Sequence, residues 1–198
     1  MKTFWDERYD SEDYVYGKEP NEFFAETLRK LDPGHILLPA EGEGRNAVFA
    51  AGLGWKVHAF DSSRVAEYKA LSLAAERNVN ILYSIADVDD FDPGDYKYDV
   101  IGLIYTHFHP QVRSNFFKLM TKCLAPGGKI ILEGFEKKQI NLSTGGPKDL
   151  SMLFSVEELE KNFDGLHFEY LKAESITLAE SDVHNGRAEV VRMVATKG

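Results

Sequence analysis

The stretch from His35 to Ser63, HILLPAEGEGRNAVFAAGLGWKVHAFDSS, leaves few folds open to this chain. Its apolar run Ile36-Leu37-Leu38 suits a strand buried on both faces. Gly42 and Gly44 then let the backbone turn sharply and approach a ligand that side chains would exclude. Arg45 to Leu53 has helical composition, and the first turn of such a helix leaves free N–H groups pointing back at the glycines. A second strand, Lys56 to Phe60, ends at Asp61. Strand, turn, helix and strand in this order predict a βαβ crossover between parallel strands.

Asp61 follows Gly44 by 17 residues, roughly the spacing at which a carboxylate in such a crossover reaches the ribose hydroxyls of a nucleotide. The pattern Gly42-x-Gly44-x-x-Ala47 also fits the dinucleotide fingerprint, so by itself it leaves NAD and S-adenosylmethionine both open. A plain packing turn would need the same glycines. Asp61 at the right place argues against that bland reading.

With 198 residues the chain is long enough for one sizeable core and too short for separate cofactor and substrate domains, so a single domain over residues 1–198 is expected. Charged residues at 28% and hydrophobic ones at 43% are ordinary for a globular protein. The lone Cys123 excludes an internal disulfide and a cysteine-cluster metal site, and fits a reducing cytoplasm. No secretory signal or membrane-length apolar stretch is evident, so a cytoplasmic location with no membrane partner is expected. The net charge of −9 disfavours a nucleic-acid partner, because phosphate backbones need a basic footprint.

Along the chain, residues 1–32 read as a cap segment, irregular and aromatic-rich at first and then helical from about Asn21. After the crossover come a helix over Arg64 to Arg77 and a short strand from Asn80 to Ile85, the rhythm of a doubly wound sheet. Tyr98 to Tyr105 reads as a fourth strand and feeds a helix from about Pro110. Leu124-Ala125-Pro126-Gly127-Gly128 closes that helix, and Lys129 to Leu132 opens a fifth strand. Gly145-Gly146-Pro147 marks an irregular excursion, and Ser155 with Glu158 makes a capping box for a helix through Phe163. Phe168 to Leu178 and Arg187 to Thr196 are strand-like, with a hairpin turn expected near Asn185-Gly186. The fold class is therefore α/β: a Rossmann-like, doubly wound sheet of seven strands. Five are parallel, a C-terminal hairpin is antiparallel, and helices cover both faces.

In this order the pieces resemble the class I S-adenosylmethionine-dependent methyltransferases, and within them the group of tellurite-resistance and thiopurine S-methyltransferases. The likeness spans nearly the whole chain. Trp5-Asp6-x-Arg8-Tyr9 and Tyr16-Gly17-x-x-Pro20-Asn21 match the segment that folds over the cofactor. Gly42-Glu43-Gly44-Arg45-Asn46-Ala47 matches the first motif, Asp61-Ser62-Ser63 the second, and Ala86-Asp87 the position that contacts adenine. His107 to Arg113 and His184-x-Gly186-x-Ala188, leading into Val190-Val191-Arg192, also recur in the group. One departure stands out: Leu38 and Ala40 occupy positions where the family usually has an acid and a glycine, and Glu41 is the nearest replacement carboxylate.

The resemblance implies S-adenosylmethionine as cofactor and favours a small-molecule acceptor, a thiol or a chalcogen oxyanion; the sequence leaves monomer and homodimer both open. A sulfonium cation calls for carboxylates or aromatic faces, which Trp5, Tyr9, Tyr16 and Glu41 offer. Gly42, Gly44, Arg45, Asp61, Ser62 and Ile104 would hold the rest of the cofactor; Asp87 would accept from the adenine amino group, with Ala86 and Val88 bordering the ring. A thiolate acceptor needs no base, whereas an amine or hydroxyl must lose a proton, for which His107, Tyr105 and His184 are the candidates. His107 and His109 as a metal pair lack a third ligand, so no metal is expected. Two rival readings are a non-catalytic S-adenosylmethionine-binding protein and, behind it, a nicotinamide-dependent oxidoreductase.

Overall fold

Residues 2–198 are described by the computed structural model. Strand β1 (His35–Pro39) sends Ile36 and Leu38 to one face of the sheet and Leu37 to the other, and all three are fully buried. This two-faced burial is what the apolar run predicts. Against Ile36 and Leu38 pack α2 (Glu22–Leu28), α3 (Arg45–Gly52) and α4 (Arg64–Glu76), through Phe24, Ala47, Ala50 and Ala70. On the Leu37 face lie α5 (Pro110–Cys123) and α6 (Val156–Asn162), through Phe116, Phe117, Met120 and Leu159.

Strands β2 (Lys56–Asp61), β3 (Leu82–Ile85), β4 (Tyr98–Ile104) and β5 (Leu124–Phe135) join β1 in parallel, and β6 (Leu166–Ser181) and β7 (His184–Lys197) close the sheet as an antiparallel hairpin. The order is β3-β2-β1-β4-β5-β7-β6, with β7 antiparallel to β5. Between β3 and β4 the chain crosses from one side of β1 to the other, so a crevice opens beyond the carboxyl ends of β1 and β4, where open α/β sheets bind ligands. Ser155 caps α6 by accepting from the Glu158 N–H at 3.3 Å, as its capping box predicts.

Three local expectations need correction. The start of the cap is helical rather than irregular: α1 spans Lys2–Tyr9, and Trp5 and Tyr9, one turn apart, stack at 5.5 Å. Residue 1 of the predicted cap lies outside the described residues. The hairpin turn is Asp182-Val183, with Ser181 opposite His184, and not Asn185-Gly186. This register buries Leu178, Ala188 and Val190 together, and core burial outweighs the local turn signal. Finally, β5 begins at Leu124, which pairs with Tyr98 before the chain bulges through Gly127-Gly128 and resumes opposite Val100 at Lys129.

Candidate active site

Ala40 opens the turn after β1 with φ of +48°, so the left-handed conformation that glycine would take without cost is kept by a residue with a Cβ. Three hydrogen bonds hold this loop. Glu41 N–H donates to the Phe60 carbonyl at 3.1 Å, Gly42 N–H to Asp61 Oδ2 at 3.1 Å, and the Tyr83 hydroxyl to the Gly42 carbonyl at 2.6 Å. Asp61 also accepts from Ser63 N–H at 2.9 Å through Oδ1, and burial raises its carboxyl against these bonds. A carboxylate has about four lone-pair sites, so these bonds leave it capacity to accept from a ligand.

The loop forms one end of a cavity of about 600 Å3. Trp5, Tyr9, Tyr16, Glu41, Gly42 and Arg45 line it, as do Asp61, Ser62, Ala86, Asp87, Val88 and Ile104. Gly44 does not. It caps α3 with φ of +88°, and a Cβ there would come within 2.5 Å of the Ala70 Cβ, so this glycine serves the packing of α3 on α4. Leu38, at the position where the resemblance expects an acid, is fully buried against Phe24 and Gly102. Glu41 does face the cavity; burial pushes its carboxyl up to about 7, although Oε1 accepts from Ala47 N–H at 2.7 Å.

The cap is fastened by a residue that motif reading leaves as a spacer. The Glu43 carboxylate accepts from the Val15 and Tyr16 N–H groups at 3.2 and 3.3 Å and from Lys69 Nζ at 2.9 Å. Ser63 Oγ and Arg64 N–H donate to Asp6 on α1 at 2.6 and 3.1 Å. Aromatic rings of the cap thereby lie over the glycine loop, with Tyr9 packed edge-on to Tyr16 at 6.3 Å.

The three candidate bases share the cavity wall but differ in what is left to react. His107 has none of its ring nitrogens free: Nδ1 bonds the Met152 carbonyl at 2.9 Å and Nε2 accepts from Phe135 N–H at 3.0 Å. Burial also lowers its pKa to about 4, so His107 is a neutral structural bridge, a correction to its expected role as proton acceptor. Tyr105 donates its hydroxyl to Glu133 Oε1 at 2.8 Å, and burial raises its pKa well above the ordinary value.

His184 is 5% exposed, and its Nδ1 bonds Glu180 Oε2 at 3.1 Å. Its ring lies among those of Tyr16, Tyr105 and Phe135, with centroids at 4.9, 4.8 and 5.5 Å. Nε2 has no hydrogen-bond partner among the described residues and faces Gly145, where an added Cβ would come within 3.0 Å of it. Gly145 has φ of +117°, so both space and backbone demand glycine there.

Behind these groups runs a buried polar network that no motif announces. Asn21 Nδ2 bridges two carboxylates, donating to Glu133 Oε1 at 2.6 Å and Glu180 Oε1 at 3.0 Å. Arg192 Nε donates to Glu133 Oε2 at 2.5 Å, and Arg45 Nη2 to Glu180 Oε2 at 3.0 Å. Burial works against the Glu180 charge, but the His184 hydrogen bond and Arg45 outweigh it and bring the pKa down to about 2. Pro20-Asn21 and Arg45 lay within recognised motifs, yet nothing local tied either to Glu133 or Glu180.

Among the described residues no group of three His, Cys, Asp or Glu side chains could hold a metal, and no helix is long and apolar enough to cross a membrane. Residues 36–128 match the family described as "Methyltransferase domain". No curated protein matches the sequence significantly. Among solved structures, one described for the conversion of a disulfide bond into a thioacetal group during echinomycin biosynthesis superposes with a TM-score of 0.81 at 16% identity, covering 100% of this chain and 91% of the other. TehB from Haemophilus influenzae gives 0.75 at 16%, covering 100% and 67%. A SAM-dependent methyltransferase from Methanosarcina mazei gives 0.72 at 16%, covering 90% and 98%.

Proposed function

We propose that the chain is a class I S-adenosylmethionine-dependent methyltransferase, a reading supported by the methyltransferase-domain match over residues 36–128 and the likeness of fold, and that it methylates a small, largely apolar acceptor whose nucleophile carries a proton to be removed. The observation that carries this reading is Nε2 of His184, which has no hydrogen-bond partner among the described residues and lies in an aromatic part of the cavity wall.

The donor set at the loop end fits the cofactor. Asp61 keeps lone pairs for ribose hydroxyls, Asp87 with Ala86 and Val88 borders the space for adenine, and Glu41, Trp5, Tyr9 and Tyr16 present negative charge and π faces to a cation. Bound S-adenosylmethionine would supply an electrophilic methyl, leaving a neutral thioether once the sulfur–carbon electron pair stays on sulfur. The chain's own part is alignment and proton removal. The cap and the Gly145-Gly146 loop exclude water, the aromatic wall orients an apolar acceptor, and His184 Nε2 takes the proton as the acceptor forms its new bond to carbon.

The chalcogen oxyanion finds less support than the thiol. Arg45 is held by Glu180, Arg192 by Glu133 and Glu174, and Arg113 by the carbonyls of Ser151, Met152 and Leu153. Lys148 and Arg8 line the cavity but are exposed, where solvent weakens their hold on an anion. A thiol, amine or hydroxyl on an apolar frame suits these walls better. The buried Cys123 fits a reducing cytoplasm, and the chain would act without nucleic-acid or membrane partners.

Titration calorimetry with S-adenosylhomocysteine, with NADH as comparison, tests the reading. Micromolar binding of the first alone is expected, weakened about 10- to 100-fold in Asp61→Ala, the scale of lost hydrogen bonds to a charged group. Binding of NADH in its place would overturn it.

A further inference from the structure

We infer that Glu180 is a positioning residue for the methyl-transfer site, fixing His184 as the tautomer that carries its proton on Nδ1 and so presents the Nε2 lone pair to the acceptor. The inference rests on the proposed role of His184, and geometry carries it. Glu180 and His184 flank the two-residue turn Asp182-Val183, which brings the carboxylate to Nδ1 at 3.1 Å. A carboxylate only accepts, so Nδ1 must hold the proton. The neutral imidazole then has its lone pair on Nε2, the nitrogen without a partner beside Gly145.

Glu180 is itself held from several sides. Arg45 Nη2 and His184 share its Oε2, Asn21 Nδ2 donates to its Oε1, and the cap packs so closely that a Cβ on Gly17 would lie 2.6 Å from the Glu180 carbonyl oxygen. Arg45 also donates to the Tyr16 carbonyl at 3.2 Å, so one side chain on the first turn of α3 links the cap to the carboxylate behind the base. The Tyr16, Tyr105 and Phe135 rings keep the imidazole plane from turning away. The arrangement does for an acceptor proton what an orienting carboxylate does wherever a histidine must offer one defined nitrogen.

Nitrogen-15 NMR of selectively labelled protein reads the tautomer without cofactor, acceptor or turnover. His184 is expected as the Nδ1–H form in the wild type. In Glu180→Gln the amide can donate to Nδ1, so the Nε2–H form should grow, with kcat falling on the order of 100-fold or more and S-adenosylhomocysteine affinity kept. Glu180→Asp, which retains the charge, should recover both the Nδ1–H signature and part of kcat. A wild-type His184 protonated on Nε2, or one whose signature Glu180→Gln leaves unchanged, would overturn the inference. If His184→Gln methylates as fast as wild type while the NMR result stands, the role proposed for His184 fails and the structural assignment of Glu180 survives.

Discussion

The two ends of the cavity are built from different materials. The glycine-loop end is held mainly by main-chain N–H groups within one contiguous βαβ unit, Gly42 and Ser63 N–H to Asp61 and Glu41 N–H to Phe60, with the Tyr83 hydroxyl of β3 added from outside it. The His184 end is held by side chains that meet from remote parts of the chain. Arg45 and Glu180 lie 135 residues apart, Asn21 and Glu180 159 apart. A backbone-built end depends on local conformation, whereas an end built on buried charges depends on every partner being present.

The sharpest way to break that contrast is Glu133→Ala. It would leave Arg192 and Tyr105 without their buried partner, and removing one member of such a pair costs roughly 3–5 kcal/mol. Urea denaturation should show that loss; a change below about 1 kcal/mol, the range of exposed pairs, would mean the network is not a structural unit. Gly44→Ala tests the other end. The left-handed backbone should cost about 1–2 kcal/mol, and the close approach to Ala70 about 1–3 kcal/mol more through overpacking. Stability and S-adenosylhomocysteine binding should fall together, although Gly44 does not line the cavity.

The smallest effect concerns pH. Because burial lifts the Glu41 carboxyl to about 7, its contribution to stability is fully present below the unfolded value and is lost as pH rises through 7. A cationic ligand beside it favours the charged form, so S-adenosylmethionine affinity should rise between pH 6 and 8, by no more than about tenfold per pH unit. Calorimetry across that range should show the slope in wild type and none in Glu41→Gln. Equal slopes would place the titrating group elsewhere.

Much of the loop end was legible because its determinants are adjacent in sequence. Ile36-Leu37-Leu38, Gly42 and Asp61 belong to one supersecondary unit, and each lies where its residue type and spacing imply. Gly44 is harder to read, because a glycine that frees space for a neighbouring helix looks, in sequence, like one that frees space for a ligand. His107 was misread for a related reason. Its position beyond β4 suggested chemistry, but Met152 and Phe135, which engage its ring, come from segments whose approach no local pattern encodes. The Asn185-Gly186 turn signal lost to the burial of Leu178, Ala188 and Val190.

By itself, then, the sequence determined the order of strands and helices, the glycine turn and the acid that follows it, because hydrophobic period and turn chemistry act over a few residues. Only the tertiary structure decided which of three candidate bases keeps a free nitrogen, and that Glu180, Asn21 and Arg45 stand behind it. Hydrogen bonds between side chains act over about 3 Å, and which groups come that close is settled when the sheet brings β4, β5, β6 and β7 together with the cap.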